Sequence, residues 1–286
     1  MKTLIDIAVP GLTFILLVAV GMDLTVADFA RVRRQPLVIL GGLLAPLVLL
    51  PPIAVGLIRV FAPAIDVSAG VLLIASCPIG GMSNTWSYLA RASTALSVTL
   101  TGLSCLFAGL TIPLVATGLA LALGHPIDIA SPSIALVLRL FLTLTVPVGV
   151  GMWVRRNAPA TAERYKPVLQ RLAFVGIGVI MALVILQAPA AFAAELTTTV
   201  PLAALFIVCS MAAGWIAAAL VTTSRNDRFT IATEFGTRNV GVATAIAVTV
   251  LGRVEFARFA TTYFLTELPI MVTAVWVFLK TAPRGR

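Results

Sequence analysis

The chain alternates between long apolar runs and short polar connections, and this pattern predicts a bundle of membrane-spanning helices. A helix that crosses a bilayer needs about 20 consecutive, mostly apolar residues. The runs that meet this requirement cover residues 3–22, 36–61, 67–90, 94–122, 131–155, 167–188, 197–222, 227–252 and 256–280. The first run lacks a small-residue cleavage site, so we expect it to be a helix rather than a signal peptide.

Two of these runs are interrupted by polar segments. The first segment is Cys77–Asn84 (CPIGGMSN) and the second is Thr233–Asn239 (TEFGTRN), and both contain the pattern Gly-x-x-Asn. A charged side chain at the centre of a bilayer costs roughly 3 kcal/mol, so Glu234 and Arg238 are expected to face partners or a water-filled cavity. Broken helices at corresponding places in two halves of a membrane protein indicate the binding site of a transporter.

Composition supports a membrane protein. The 286 residues are 60% hydrophobic and 11% charged, and the mean hydropathy is +1.07, whereas soluble domains are about half apolar and a quarter charged. We therefore expect an all-α polytopic membrane protein with one membrane domain, residues 1–286. The cysteines Cys77, Cys105 and Cys209 fall inside apolar runs without metal-ligand spacing, and disulfides are not expected.

The net charge of +9 would suggest a nucleic-acid partner in a soluble protein, but here the basic residues lie between apolar runs, so they indicate topology and no nucleic-acid partner is expected. Most of the basic residues fall in one set of alternate connections. These are Arg31, Arg33, Arg34, Arg91, Arg155, Arg156, Arg164, Lys166, Arg171, Arg225, Arg228, Lys280, Arg284 and Arg286. The positive-inside rule then predicts an external N-terminus and a cytoplasmic C-terminus, which nine crossings allow.

This orientation gives the two broken runs opposite directions through the membrane. A shared Gly-x-x-Asn break on oppositely directed helices predicts an inverted repeat. Runs one to four would form one half and runs six to nine the other, with run five as the connector. Inverted repeats place the binding site at their interface, near the middle of the bilayer.

The residue types at the breaks suit a helix that stops and restarts within the membrane. Gly80, Gly81 and Gly236 permit the backbone dihedrals that a break requires. Asn84 and Asn239 carry amides that donate and accept hydrogen bonds, so they can satisfy freed backbone groups. If the two broken helices cross, each Asn could cap the helix of the other half.

A set of oxygen-bearing side chains lies around the breaks and suits a small hard cation such as sodium. Ser97 and Thr101 are four residues apart and share one face of their helix. Together with Ser83, Asn84 and Glu234 they would supply five oxygen ligands. The alternatives are that Ser97 and Thr101 only allow helices to approach closely, and that Glu234 only forms an ion pair with Arg238.

The segments around both breaks resemble those of the bile acid:sodium symporter family. The first resemblance is carried by Cys77-Pro78-x-Gly80-Gly81-x-Ser83-Asn84, Tyr88-Leu89-Ala90 and Ala95-Leu96-Ser97-Val98. The second is carried by Glu234-x-Gly236-x-x-Asn239-x-x-x-Ala243. The order of runs also matches, so the resemblance covers nearly the whole chain and indicates the nine-helix bacterial type.

The resemblance implies two crossed discontinuous helices, a core domain and a panel domain, with organic anions bound between the domains. It assigns runs 3–22, 36–61, 167–188 and 197–222 to the panel. It assigns the remaining runs to the core, namely 67–90, 94–122, 131–155, 227–252 and 256–280. It also implies that the family's first sodium site is formed by Ser83, Asn84, Ser97, Thr101 and Glu234.

The family's second sodium site departs from the pattern. The family has a glutamine just before the second Asn, where this chain has Arg238, and a second glutamine at a position that corresponds to Pro46. One interpretation is that the permanently charged Arg238 replaces the second cation and lowers the coupling to one sodium ion or none. The other is that Arg238 binds a substrate carboxylate in the crevice.

Glu267 is a further ionisable residue inside a run, two residues before Pro269. Its helix faces the crevice in the family, so Glu267 could carry a coupling proton or contact the substrate. The alternative is a structural role as the partner of an internal polar group such as Arg139.

We therefore predict a secondary transporter of a small organic anion that works by alternating access, with sodium as the coupling ion and no organic cofactor. The alternatives are a sodium-independent or proton-coupled carrier, an arsenite-type efflux carrier, and a membrane sensor without transport. No catalytic constellation indicates an enzyme. The expected surroundings are the lipids of a bacterial inner membrane, and the oligomeric state is left open, a monomer included.

Overall fold

The computed structural model describes residues 2–25, 30, 33–123 and 138–281, and within these ranges the protein consists of helices joined by short connections. In chain order the helices are α1 (Lys2–Asp23), α2 (Pro36–Phe61), α3 (Ile65–Ser76), α4 (Met82–Leu89), α5 (Thr94–Leu123), α6 (Val146–Asn157), α7 (Pro159–Gln187), α8 (Pro189–Ala219), α9 (Arg225–Gly236), α10 (Val240–Ala245) and α11 (Phe256–Lys280). A π-helical turn, Phe141–Thr145, leads into α6, and a second, Ile246–Val250, follows α10.

The apolar runs correspond to these helices. Six helices among the described residues are long and apolar enough to cross a membrane, namely Pro36–Phe61, Thr94–Ala116, Leu138–Asn157, Pro159–Gln187, Pro189–Ala219 and Phe256–Lys280. Three shorter apolar helices, Val9–Asp23, Ile65–Ser76 and Val240–Val250, belong to the remaining runs. The prediction of an all-α polytopic membrane protein is confirmed. Residues 131–137 of the fifth predicted run lie outside the described residues.

The helices α7 and α8 begin earlier than the apolar pattern predicts. They start at Pro159 and Pro189, whereas the corresponding runs start at residues 167 and 197. Proline is favoured in the first turn of a helix because its φ is already helical and its missing N–H would be unsatisfied there in any case. Each helix therefore begins at its proline, before the apolar run that was predicted to start it.

Both interrupted runs are discontinuous helices, and they cross at their breaks. Helix α3 ends at Ser76 and α4 begins at Met82, while α9 ends at Gly236 and α10 begins at Val240. The two extended segments between these helices meet in an antiparallel bridge between Ile79 and Arg238. The predicted pair of crossed discontinuous helices is therefore present.

The remaining helices pack in two groups around this crossing. Helices α1, α6 and α7 pack on one another, and α1 and α6 approach so closely that a Cβ at Gly151 would lie 2.1 Å from the carbonyl oxygen of Val18. Helices α2 and α8 pack on each other and on α3, α5, α9 and α11. The division into core and panel stays a prediction, but this packing favours α1, α6 and α7 as the panel, in place of the predicted grouping of α1, α2, α7 and α8.

Candidate functional site

The crossing is held by backbone hydrogen bonds between the two breaks. The amide of Gly80 donates to the carbonyl of Thr237 at 3.0 Å, and the amide of Asn239 donates to the carbonyl of Pro78 at 2.9 Å. A Cβ at Gly80 would lie 2.6 Å from the carbonyl oxygen of Arg238. Only glycine allows this approach, because a methyl group would push the two segments apart.

The two Asn residues of the Gly-x-x-Asn patterns act differently from each other. Asn239 caps its own helix α10, since its Oδ1 accepts a hydrogen bond from the amide of Val242 at 3.1 Å. Asn84 lies within α4, and its Oδ1 accepts from Ser97 at 2.8 Å and from Thr101 at 3.4 Å. The expectation that each Asn caps the helix of the other half is therefore wrong, since among the described residues neither side-chain amide bonds to the backbone of the other broken helix.

Side chains that the sequence analysis did not select satisfy other backbone groups freed by the breaks. The hydroxyl of Tyr263 on α11 donates to the carbonyl of Gly236 at 2.6 Å. The amide of Ile79 donates to Ser104 Oγ at 2.9 Å, and the thiol of Cys105 faces the carbonyl of Ile79 at 3.7 Å. Ser104 lies seven residues after Ser97 and so extends the same polar face of α5, a signal that could have identified it.

Five oxygen-bearing side chains from three helices meet beside the crossing. Ser83 and Asn84 come from α4, Ser97 and Thr101 from α5, and Glu234 from the last turn of α9. The two carboxylate oxygens of Glu234 divide the hydroxyls between them. Ser97 Oγ donates to Oε1, while Ser83 Oγ and Thr101 Oγ1 donate to Oε2 at 3.1 and 3.2 Å.

The spacing of these oxygen atoms suits a hard cation. The separations between Ser83 Oγ and Thr101 Oγ1, between Ser97 Oγ and Ser83 Oγ, and between Thr101 Oγ1 and Asn84 Oδ1 are 3.1, 3.4 and 3.4 Å. Hard cations such as calcium bind oxygen at about 2.3–2.6 Å, which places neighbouring ligands of an octahedron about 3.3–3.7 Å apart. A small expansion of the cluster would therefore convert it from a hydrogen-bonded set to a ligand set.

Glu234 carries the only carboxylate of this cluster and is fully buried, with 0% of its surface exposed. Among the described residues, no nitrogen of Arg238 lies within 4.0 Å of a carboxylate oxygen of Glu234. The direct ion pair considered from the sequence is therefore not formed. An ionised carboxylate in this position needs a cation to offset the loss of hydration.

The guanidinium of Arg238 lies inside the crossing. Arg238 is 3% exposed, and its Nη2 donates to the carbonyl of Cys77 in the first break. Its Nε and Nη1 are buried without a hydrogen-bond partner in the described part of the chain. Pro46 is buried on α2 and, as a proline, offers no side-chain ligand for a cation.

A cavity of about 820 Å³ lies between helices α1 and α7 on one side and the two breaks on the other. The wall formed by α1 and α7 is mainly apolar at depth, with Leu16, Val20, Phe174 and Ile177, and becomes charged toward Asp23, Lys166 and Arg171. The opposite wall is lined by polar residues of the breaks and α11. These include Gly80, Gly81, Asn84, Thr85, Arg238, Asn239 and Glu267. A cavity of this size and lining suits a small organic ligand.

Glu267 on α11 is 1% exposed and lines this cavity. Its Oε1 accepts a hydrogen bond from Trp86 Nε1 at 3.2 Å, and Trp86 lies on α4, three residues after Ser83. Arg139, considered as a partner from the sequence, instead donates to the carbonyl of Thr249 at 2.6 Å. Glu267 is thus connected to the helix that carries two members of the oxygen cluster.

We predict that Gly80→Ala destabilises the crossing, because its Cβ would lie 2.6 Å from the carbonyl oxygen of Arg238. The free energy of unfolding should fall by about 1–3 kcal/mol, as for other overpacked sites. The measurement is the melting temperature of the purified protein in detergent. Gly81→Ala is the matched control, because a Cβ there meets nothing within 4 Å. Equal melting temperatures for the two variants would contradict the account of the crossing.

Comparison with known proteins agrees with the resemblance of the two breaks. A family model described as the Sodium Bile acid symporter family matches residues 9–196. The chain is 34% identical over 100 residues to the uncharacterized sodium-dependent transporter YocS of Bacillus subtilis, and this alignment covers 35% of this chain and 31% of that protein. It is 25% identical over 265 residues to the probable chloroplastic sodium/metabolite cotransporter BASS1 of Arabidopsis thaliana, covering 93% of this chain and 62% of that protein.

A mammalian relative is also named as a sodium cotransporter. The chain is 29% identical over 237 residues to the sodium/bile acid cotransporter 4 of Mus musculus, covering 81% of this chain and 53% of that protein. The alignments with these three relatives thus cover from 31% to 62% of the relatives' own length. The matching family model spans well over half of this chain, and this chain therefore belongs to the sodium bile acid symporter family.

Proposed function

We propose that this protein is a secondary active transporter that couples the movement of a small organic anion to sodium by alternating access. The observation that carries the proposal is the five-oxygen cluster beside the crossing. Its members come from α4, α5 and α9, so a cation bound there would hold three helices and both breaks together. The names of the relatives, as sodium-dependent transporters and cotransporters, support sodium as this cation.

Asn84 provides a physical link between the cation and the substrate. Its Oδ1 accepts hydrogen bonds within the oxygen cluster, and the same residue lines the cavity. Sodium bound to Asn84 would fix the position of this side chain in the cavity wall. A substrate that contacts the wall would in turn favour the sodium-bound arrangement, because coupling between two ligands is reciprocal.

The buried carboxylate of Glu234 supplies the energetic reason for coupling. Without a bound cation, its charge is hydrogen-bonded by hydroxyl groups and has no direct ion pair among the described residues, and an unpaired buried charge is costly. Binding of sodium offsets this cost and stabilises the arrangement of helices that surrounds it. The cation can therefore shift the population of transporter states to the extent that it binds one state more tightly than the other.

Arg238 supports a coupling of one sodium ion per cycle. Its guanidinium is held at the crossing by the carbonyl of Cys77, where it provides a fixed positive charge between the two breaks. Arg238 also lines the cavity, but the hydrogen bond from its Nη2 to the carbonyl of Cys77 fixes the guanidinium at the crossing, which favours this role over that of a carboxylate clamp. We propose that Arg238 replaces a second cation and that Pro46 no longer contributes a ligand.

The distribution of basic residues supports an orientation with the N-terminus outside and the C-terminus in the cytoplasm of a bacterial inner membrane. In this orientation the charged end of the cavity, at Asp23, Lys166 and Arg171, lies toward the cytoplasm. On the other side, Leu16 and Ile177 close around Gly241, where an added Cβ would lie 3.1 and 3.2 Å from their side chains. We therefore propose that the structure is an inward-facing state. During transport, α1, α6 and α7 would move as a group relative to the other helices.

An arsenite-type carrier is less well supported than an organic anion transporter. Such a carrier would use a membrane cysteine, and Cys77 is fully buried and is not among the residues that line the cavity. Its carbonyl, rather than its thiol, takes part in the site through Arg238.

We predict that Thr101→Val abolishes a sodium-specific stabilisation of the protein. A ligand at one hundred times its Kd stabilises the folded state by about 2.7 kcal/mol, so wild type should melt several degrees higher in sodium than in potassium at equal ionic strength. The variant keeps the shape of the side chain but loses the oxygen that contacts Glu234 and Asn84.

The matched control is Thr99→Val, because the Thr99 hydroxyl donates to the carbonyl of Ala95 on its own helix at 2.8 Å. It lies two residues from Thr101 and should retain the difference between sodium and potassium. A wild-type protein that melts equally in both salts would contradict the sodium-coupled function. Equal loss in both variants would contradict the assignment of the cluster.

A second candidate function, proton-coupled transport, is favoured by one observation, the buried carboxyl of Glu267 in the cavity wall. If Glu267 carries a proton, an inward proton gradient should drive uptake into proteoliposomes without sodium, and Glu267→Gln should abolish this drive. Glu163→Gln is the control, since Glu163 is exposed and pairs with Arg155. An unchanged pH profile in Glu267→Gln would exclude the proton-coupled mechanism.

A further inference from the structure

The face of α7 that borders the cavity carries a regular set of residues. Lys166, Gln170, Phe174 and Ile177 recur every three or four positions and line the cavity together with Arg171. This spacing places them along one side of a helix. A single face of α7 thus runs from the charged end of the cavity to the crossing.

At the charged end of this face, Lys166 has an acidic partner among the described residues and Arg171 does not. Lys166 Nζ pairs with Asp23, and Gln170 Nε2 donates to the other oxygen of the same carboxylate at 3.2 Å. Asp23 is thus engaged by its neighbours. Arg171 lines the cavity at the same end, and no acidic group in the described part of the chain pairs with it within 4.0 Å.

The position of Arg171 along the cavity follows from helix geometry. Ile177 lies at the inner end, because its side chain packs against Gly241 just after the crossing. Arg171 precedes Ile177 by six residues, which corresponds to about 9 Å along the helix axis. Phe174 and Val175 line the wall between these two levels, and Leu16 and Val20 of α1 add further apolar surface at this depth.

We propose that Arg171 binds the acidic group of the transported anion. The substrate then lies with its acidic group toward the charged end of the cavity and its uncharged part along the apolar wall, toward the crossing. This inference rests on the proposed function and deepens it. It assigns the selection for an acidic group to Arg171, because the guanidinium matches a carboxylate, while the deeper wall offers apolar contacts to the rest of the anion.

The experiment compares the binding of carboxylates with that of their neutral amides. Purified wild type, Arg171→Gln, Arg171→Lys and Arg164→Gln are titrated by calorimetry with cyclohexanecarboxylate, phenylacetate and octanoate, and with the three corresponding primary amides. Arg164 is the matched control, since it lies on the same helix, stacks over the exposed ring of Tyr165 and is not a cavity-lining residue. A sodium-specific melting shift in each variant establishes that it is folded.

We expect Arg171→Gln to weaken the binding of the carboxylates by about tenfold or more, the usual effect of removing a hydrogen bond to a charged group. The amides should bind equally well to wild type and to Arg171→Gln. Arg171→Lys should retain part of the affinity for carboxylates, and Arg164→Gln should retain almost all of it.

Three results would overturn the inference. Carboxylate binding that does not change in Arg171→Gln would show that the acidic group lies elsewhere. Equal weakening of carboxylates and amides would show a change in the cavity wall, and equal weakening by Arg164→Gln would show a general effect of net charge. If no carboxylate binds to wild type, the proposed organic anion function fails with the inference, whereas the other results leave that function standing.

Discussion

The structure depends on the need to satisfy backbone hydrogen-bonding groups inside the membrane. Two helices stop and restart among apolar surroundings, where no lipid can replace the lost helical hydrogen bonds. Each break supplies partners for the other through the Gly80–Thr237 and Asn239–Pro78 hydrogen bonds. Each break therefore needs the other to satisfy its backbone groups. Their crossing brings residues separated by about half the chain into contact at one point.

The position of charge follows from this crossing. It places the carboxylate of Glu234 among hydroxyls from α4 and α5 and the guanidinium of Arg238 at the carbonyl of Cys77. The two charges do not pair directly, so each remains available for a separate task. In the proposed function, Glu234 binds a mobile cation and Arg238 supplies a permanent positive charge within the breaks. Asn84 then connects the cation bound at Glu234 to the wall of the cavity.

Much of this arrangement could be predicted from the sequence, because lipid imposes a strict pattern. The apolar runs identified the helices, and glycine, proline and charge within them identified both breaks. Partners that depend on tertiary packing could not be predicted. No feature of the apolar pattern singles out Trp86 and Tyr263, yet they donate to Glu267 and to the carbonyl of Gly236.

Two predictions from local sequence were wrong, namely the equal roles of the two Asn residues and the starts of two helices. The similarity of the two Gly-x-x-Asn patterns suggested equal roles for Asn84 and Asn239, but only Asn239 begins a helix, whereas Asn84 follows the first residues of α4 and turns toward α5. The starts of α7 and α8 were predicted too late, because the apolar pattern does not register the helix-initiating effect of Pro159 and Pro189.

The central claim is that the chain has a single sodium site, with the place of a second cation taken by a fixed guanidinium. Equilibrium binding of ²²Na⁺ to the purified protein tests this most directly, since it requires no knowledge of the substrate. The account predicts saturation at one sodium ion per chain, without cooperativity, and loss of binding in Ser97→Ala. Saturation at two sodium ions per chain, or binding that Ser97→Ala leaves intact, would contradict it.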